Sequence, residues 1–184
     1  MIVALTLLFA LFSVSIAFDD HHAHHGDNPL HGIAKVRSED GKIKGQIEFV
    51  QRFKQGAPTH IFGNFTGLSE GFHGIGILEY GNMLNGCKSM GKEFDPDRMN
   101  QRVPIGMVGH RVGTLGNIQN GTYEDHHNHK VSLFGRNNVI GRGVIVFENV
   151  DDGGRTDTSE SRKNGNVGKP IACGIIGRLG GNFI

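Results

Sequence analysis

Two short runs concentrate the side chains best suited to holding a metal ion. "DDHHAHHGD" sets His21, His22, His24 and His25 beside Asp19, Asp20 and Asp27, and "EDHHNHK" sets His126, His127 and His129 beside Glu124 and Asp125. Neutral imidazole is a good ligand for zinc, copper and nickel, and nearby carboxylates add oxygen donors and negative charge. These histidines are the candidate metal ligands, for Zn2+ or another divalent ion held loosely at the surface without a preformed cage. The competing reading is a solvated tail and an exposed turn. If the second run is a strand, His127 and His129 share one face; if it is a loop, any two can converge. His60 is read as exposed.

The other chemistry-bearing residues depend on compartment. "MIVALTLLFALFSVSIA" carries no charged side chain and ends in the small-residue pattern Ser15-Ile16-Ala17, so residues 1–17 read as a signal peptide cut before Phe18. The run is short for a membrane span, and no basic stop-transfer cluster follows it. The expectation is a secreted chain, soluble in extracellular fluid. In that oxidising setting Cys87 and Cys173 are predicted to form one disulfide. Closing so long a loop constrains the unfolded chain by about 4–5 kcal/mol in the entropy model. Asn64-Phe65-Thr66 and Asn120-Gly121-Thr122 make Asn64 and Asn120 candidate glycosylation sites.

These groups must be positioned by a single domain: 184 residues, 37% apolar and 20% charged, suit one core of ordinary size. Lys and Arg total 19 against 18 for Asp and Glu, which excludes a broad field for nucleic acid or an anionic membrane. The 29 glycines, scattered without a period, favour tight turns between short strands. Residues 18–31 have little apolar content and read as a flexible His/Asp-rich arm; residues 32–184 read as the folded domain. From Gly32 the pattern alternates with period two, broken at Glu39-Asp40-Gly41, which predicts a hairpin. In "APTHIFGNFTGL", His60, Phe62, Asn64 and Thr66 share an outer face while Ile61 and Phe65 point in. Further strands are expected near 71–78, 130–134, 142–148 and 171–176, with long glycine-rich loops at 82–113 and 151–169. "GRNNVIGRG" and "NGNVGKP" are turns, lacking the strand-to-helix setting of a phosphate loop. The fold class is all-β, a barrel or sandwich with its functional surface in the long loops.

"GLSEGFHG", "EYGNMLNGCKSMGKEFDP", "VGTLGNI", "SLFGRNNVIGRGVIVFENVDD" and "KNGNVGKPIACGIIG", in that order, resemble the copper/zinc superoxide dismutase family from about Gly32 to Gly177. The resemblance implies a flattened eight-stranded Greek-key β-barrel with two long loops and a disulfide tying one loop to the last strand. It also implies a site, and the site differs. The family's F-H-V-H-E-F-G aligns with Ile75-Gly76-Ile77-Leu78-Glu79-Tyr80-Gly81, so Gly76 and Leu78 stand where two copper histidines belong. Glu93 replaces the histidine that bridges copper and zinc, and Phe147 replaces the last copper histidine. At the zinc positions stand Gln101, then Arg111 or its neighbour His110, then Thr114. Pro170 takes the place of the arginine that guides superoxide. What survives is the frame: Cys87, Cys173, Gly81, Gly86, Gly141 and Asp151, the last of which orients metal-binding histidines in the family. His73 matches a family histidine that binds no metal and reads as structural.

The expectation is therefore a pseudoenzyme without catalytic copper and without dismutase activity, Leu78 and Phe147 filling the former cavity with apolar volume. The leader, the "DDHHAHH" arm, the "EDHHNH" cluster and the lost ligands together resemble bivalve haemolymph proteins of the dominin, cavortin and pernin type. That likeness implies a haemolymph protein that binds divalent metal and self-associates. The family's dimer contact matches Tyr80 to Asn82, Val139 to Gly141 and Ile175 to Leu179, so a homodimer or larger homo-oligomer is expected. The alternatives are a structural or immune-recognition protein indifferent to metal, and a residual superoxide dismutase.

Overall fold

The computed structural model describes residues 28–99 and 102–180. Its first three strands follow the period-two pattern closely. Strand β1 (Leu30–Arg37) turns Ala34 and Val36 inward and Lys35 and Arg37 outward, and β2 (Lys44–Gln51) buries Ile47 and Phe49. The turn between them is closed by Ser38 N–H donating to the Ile43 carbonyl at 3.0 Å, with Gly41 in the left-handed region. Strand β3 (Thr59–Thr66) alternates along its whole length: Thr59, Ile61, Gly63 and Phe65 are buried, while His60, Phe62, Asn64 and Thr66 are exposed. One face packs the core and the other faces water.

After these come β4 (Phe72–Leu78), β5 (Leu84–Cys87), β6 (Thr114–Gln119), β7 (Thr122–Asn128), β8 (Gly143–Phe147), β9 (Pro170–Ile175) and β10 (Gly177–Leu179). The antiparallel order is β1-β2-β3-β7-β6-β4-β8-β9, and β9 pairs back to β1 through Arg37 and Cys173, closing a barrel of eight strands. Strand β10 continues β9 along the other half of β1. Closure removes the open edges that would otherwise invite pairing with other chains.

Strand β4 departs from alternation, with every residue from His73 to Leu78 buried. Its outer face lies under the two long loops, so small residues are required there. A side chain at Gly74 would meet Val167 Cγ1 at 3.0 Å, and one at Gly76 would meet the Gly113 carbonyl oxygen at 3.0 Å. The loops carry local structure of their own. Residues 82–113 contain β5 and a 3-10 turn at Lys88–Met90, and residues 151–169 contain the short helix α1 (Ser159–Asn164). Helix α1 starts where the Thr158 hydroxyl accepts from Ser161 N–H at 3.1 Å and stops at Gly165, which adopts positive φ. A disulfide joins Cys87 at the end of β5 to Cys173 on β9, as expected.

Two expectations about strands need correction. Residues 130–134 do not form a strand, because all of their amides but that of Ser132 are taken by side chains. Asn128 Oδ1 accepts from Lys130 N–H at 3.0 Å and Val131 N–H at 2.7 Å, and Gln51 Oε1 accepts from Leu133 N–H at 2.8 Å. The strands not foreseen are β5, β6, β7 and β10; β6 and β7 are joined by Asn120-Gly121 with φ values of 47° and 81°, a two-residue turn of the type that twists with its strands.

Candidate functional site

Gly76 and Leu78 on β4, Glu93 from the first long loop and Phe147 at the end of β8 come together around one cavity of about 720 Å³. Backbone pairing brings Glu93 there: Glu79 N–H donates to the Lys92 carbonyl at 2.9 Å, and Phe94 N–H to the Ile77 carbonyl at 2.8 Å. The cavity is open, which corrects the expectation that Leu78 and Phe147 would fill it. Both belong to the apolar cluster of Ile145, Met90 and the disulfide, and both line the cavity without filling it.

The polar side of the cavity is held by ion pairs among amino-acid side chains. Arg102 Nη1 donates to both oxygens of Glu93 at 2.8 Å, and its Nη2 pairs with Asp151 Oδ2. Arg111 Nη1 donates to Glu93 Oε2 at 2.9 Å, its Nε lies 3.6 Å from Asp95 Oδ2, and the Thr114 hydroxyl donates to Glu93 Oε1 at 2.7 Å. Side-chain exposure is 5% for Arg102, 2% for Asp151 and 14% for Glu93, so these charges interact in a low-dielectric setting where removing one partner is costly. Asp151 is placed from β6 as well: Asn117 accepts its N–H at 2.7 Å and donates to its carbonyl at 2.9 Å. Burial pushes the Asp151 carboxyl above its ordinary range, and the contact with Arg102 opposes that shift. Arg102 is also locked through its backbone, donating to the Arg162 carbonyl at 2.8 Å and so stitching the two long loops together.

Copper and zinc are what the resemblance implies at this place, and the residues present do not fit them. Gly76, Leu78 and Phe147 supply no lone pair. Glu93 is saturated by two guanidinium groups and a hydroxyl, so an incoming cation would face two fixed positive charges. Of the two residues that could stand at the second zinc position, Arg111 joins the network. His110 turns away, its Nδ1 lying 3.1 Å from the Met107 carbonyl oxygen. Thr114 also joins; Gln101 lies outside the described residues. Among the described residues, no three His, Cys, Asp or Glu side chains are grouped to hold a metal ion.

Sequence reasoning found Glu93, Arg111, Thr114 and Asp151 but missed Arg102. A single arginine in a long polar loop carries no periodic signal, and only the fold shows it buried. His73 is structural, with Nδ1 3.1 Å from the Phe147 carbonyl oxygen and Nε2 3.0 Å from Ser69 Oγ. Asp152, at the start of the second long loop, carries a burial penalty that is its largest single influence, but hydrogen bonds from Thr156, Ser161, Gly154 N–H and Asn166 together outweigh it and bring its carboxyl down to about 2.

The remaining described candidates lie on the surface. His126 and His127 are on β7 and His129 follows it, all exposed; His21, His22, His24 and His25 lie outside the described residues. Asn64 is exposed on the outer face of β3. Asn120 is exposed in the β6–β7 turn, its Oδ1 accepting from Gly71 N–H at 3.2 Å.

The family model for copper/zinc superoxide dismutase matches residues 43–176. An extracellular superoxide dismutase [Cu-Zn] of Drosophila melanogaster is 40% identical, the alignment covering 79% of this chain and 81% of that protein. Another, from Haemonchus contortus, is 32% identical over 95% of this chain and 100% of that protein. The crystal structure of the clock protein EA4 matches with a TM-score of 0.72 and 34% identity, covering 86% of this chain and 99% of that one.

Proposed function

The chain belongs to the copper/zinc superoxide dismutase family, and from that premise we propose that it is a secreted, non-enzymatic member that binds divalent metal ions through its histidine-rich segments. The observation that carries this reading is the cavity itself. Gly76, Leu78, Glu93 and Phe147 converge there, and Arg102 and Arg111 supply the positive charge beside Glu93. Dismutation needs a bound metal that cycles between two oxidation states, and guanidinium cannot change valence. Arg102 ties the two long loops together, pairing with Glu93 on the first and with Asp151 and the Arg162 carbonyl on the second.

Secretion is supported by the apolar leader at 1–17 and by two relatives named as extracellular proteins. Asn64 and Asn120, both exposed, are then available for glycans. His21, His22, His24, His25, His126, His127 and His129 are the proposed ligands for zinc or a similar ion, and metal carriage in a body fluid such as haemolymph is the proposed role. Self-association into a homodimer or larger assembly is part of the proposal. A side chain at Gly81 would lie 2.9 Å from Ile175 Cγ2, so the segments around these residues abut, and Tyr80 and Ile175 are 57% and 39% exposed beside them.

The names of the two relatives favour a second reading, a retained dismutase. Elemental analysis of protein purified from its native fluid, followed by a superoxide assay after copper loading, separates the two. The proposal expects zinc-type metal, copper well below one per chain, and no activity above buffer. Stoichiometric copper with superoxide consumption would sink it, and protein free of any metal would favour a purely structural or recognition role.

A further inference from the structure

Strand β7 breaks its alternation at the histidines. Thr59 on β3 is opposite Asn128, and Ile61 is opposite Asp125, so the single residue His60 faces two residues, His126 and His127. This is a β-bulge, and it re-aims a side chain that regular pairing would send inward. Without the bulge, consecutive His126 and His127 would point to opposite faces; with it, both are exposed. Asp125 holds the distortion in place, its Oδ1 accepting from His127 N–H at 3.1 Å and its Oδ2 from Asn128 Nδ2 at 2.9 Å. Three imidazoles consequently meet on the outer face of the barrel. The His60 ring centroid lies 6.1 Å from that of His126 and 5.7 Å from that of His127. A carboxylate stands with them, Glu124 Oε1 being 3.1 Å from His126 Nε2.

We propose that His60, His126 and His127, with Glu124 as the oxygen donor, form a binding site for one divalent transition-metal ion, built by the β7 bulge. Zn–N bonds of about 2.0–2.1 Å at tetrahedral angles place ring centroids on a shared ion about 5.2 Å apart, so the observed separations of 6.1 and 5.7 Å need each shorten by less than about 1 Å. As the side chains stand, their donor atoms do not converge on one point, in keeping with the lack of a preformed metal group among the described residues. The step required is small. His126 and Glu124 have side-chain exposures of 63% and 57%, and exposed rings change rotamer freely. Three nitrogens and one carboxylate oxygen suit tetrahedral zinc. His129 is not in this set: it lies beyond the bulge, where Asn128 Oδ1 turns the chain by accepting from Lys130 N–H at 3.0 Å.

The inference rests on the proposed metal-binding function and narrows one of its two histidine runs to a defined site. The test is calorimetric titration with ZnCl2 of the full chain carrying asparagine at His21, His22, His24 and His25, with and without His60→Ala. All three site histidines are exposed, so the substitution should leave the melting temperature unchanged. The expected result is one zinc per chain, weakened about tenfold or more by His60→Ala and little affected by His129→Ala. Zinc affinity unchanged by His60→Ala would overturn the site while leaving metal binding intact. If the arm-substituted chain takes up no zinc but the parent does, the site also falls and the arm alone carries the function. If the parent itself takes up none, both readings fall together.

Discussion

Glu93 is accompanied by two guanidinium groups, and that substitution of charge type accounts for most of what the cavity can and cannot do. A guanidinium is permanently charged, planar and bidentate, so Arg102 can satisfy Glu93 and Asp151 at once. Arg102→Ala should therefore strand the buried Asp151 carboxylate, leave Glu93 to Arg111 and Thr114, and lower the unfolding free energy by about 3–5 kcal/mol, read by urea denaturation. A loss below 1 kcal/mol would mean that water reaches the carboxylates freely. Asp152 gives a pH signature. Its folded-state carboxyl titrates at about 2 against an ordinary 3.8, so its contribution is complete above 3.8 and disappears as pH falls toward 2. The melting-temperature gap between the parent and Asp152→Asn should accordingly narrow across that window. Asp151 works in the opposite sense: burial raises its folded-state value, so its contribution is complete at low pH and declines as pH rises through that value.

Among the elements, the β6–β7 hairpin and the disulfide are the sharpest places to test how local chemistry becomes architecture. Gly121 has φ +81°, and an added Cβ would lie 2.6 Å from the Phe65 carbonyl oxygen, leaving no room for a side chain on that side of β3. Gly121→Ala should destabilise the chain by more than about 1 kcal/mol, measured by chemical denaturation. Replacing both Cys87 and Cys173 by serine should cost about 2–5 kcal/mol and loosen the 82–113 loop, seen as faster amide exchange there. The hairpin was legible in principle, since Asn-Gly between two runs is a strong turn signal. It was obscured because Asn120 also begins a sequon and because the polar "YEDHHN" has little apolar alternation. Strand β7 buries only Tyr123 and Asn128, so its existence depends on hydrogen-bonding partners more than on its own hydrophobic pattern. The error at 130–134 has the converse cause: Val131 and Leu133 alternate like a strand, but the Asn128 and Gln51 side chains cap their amides.

At the scale of the whole molecule, the three abutting segments around Gly81, Gly141 and Ile175 set the expectation for assembly. Ile175→Glu should reduce the mass measured by light scattering to that of one chain, and a parent already monomeric at all concentrations would remove the oligomer from the proposal. The sequence by itself determined the all-β class, the alternating faces of the first three strands, the cysteine pair, and the absence of imidazole at positions 76, 78, 93 and 147. These are legible because residue type and period two are local properties of the chain. Only the tertiary structure decided that the cavity stays open, that Arg102 rather than a metal gathers Glu93 and Asp151, and that His60 faces His126 and His127 across a bulge. Each of those depends on groups distant in sequence meeting through barrel closure and strand register, and no periodic signal in a single segment records where its partners will lie.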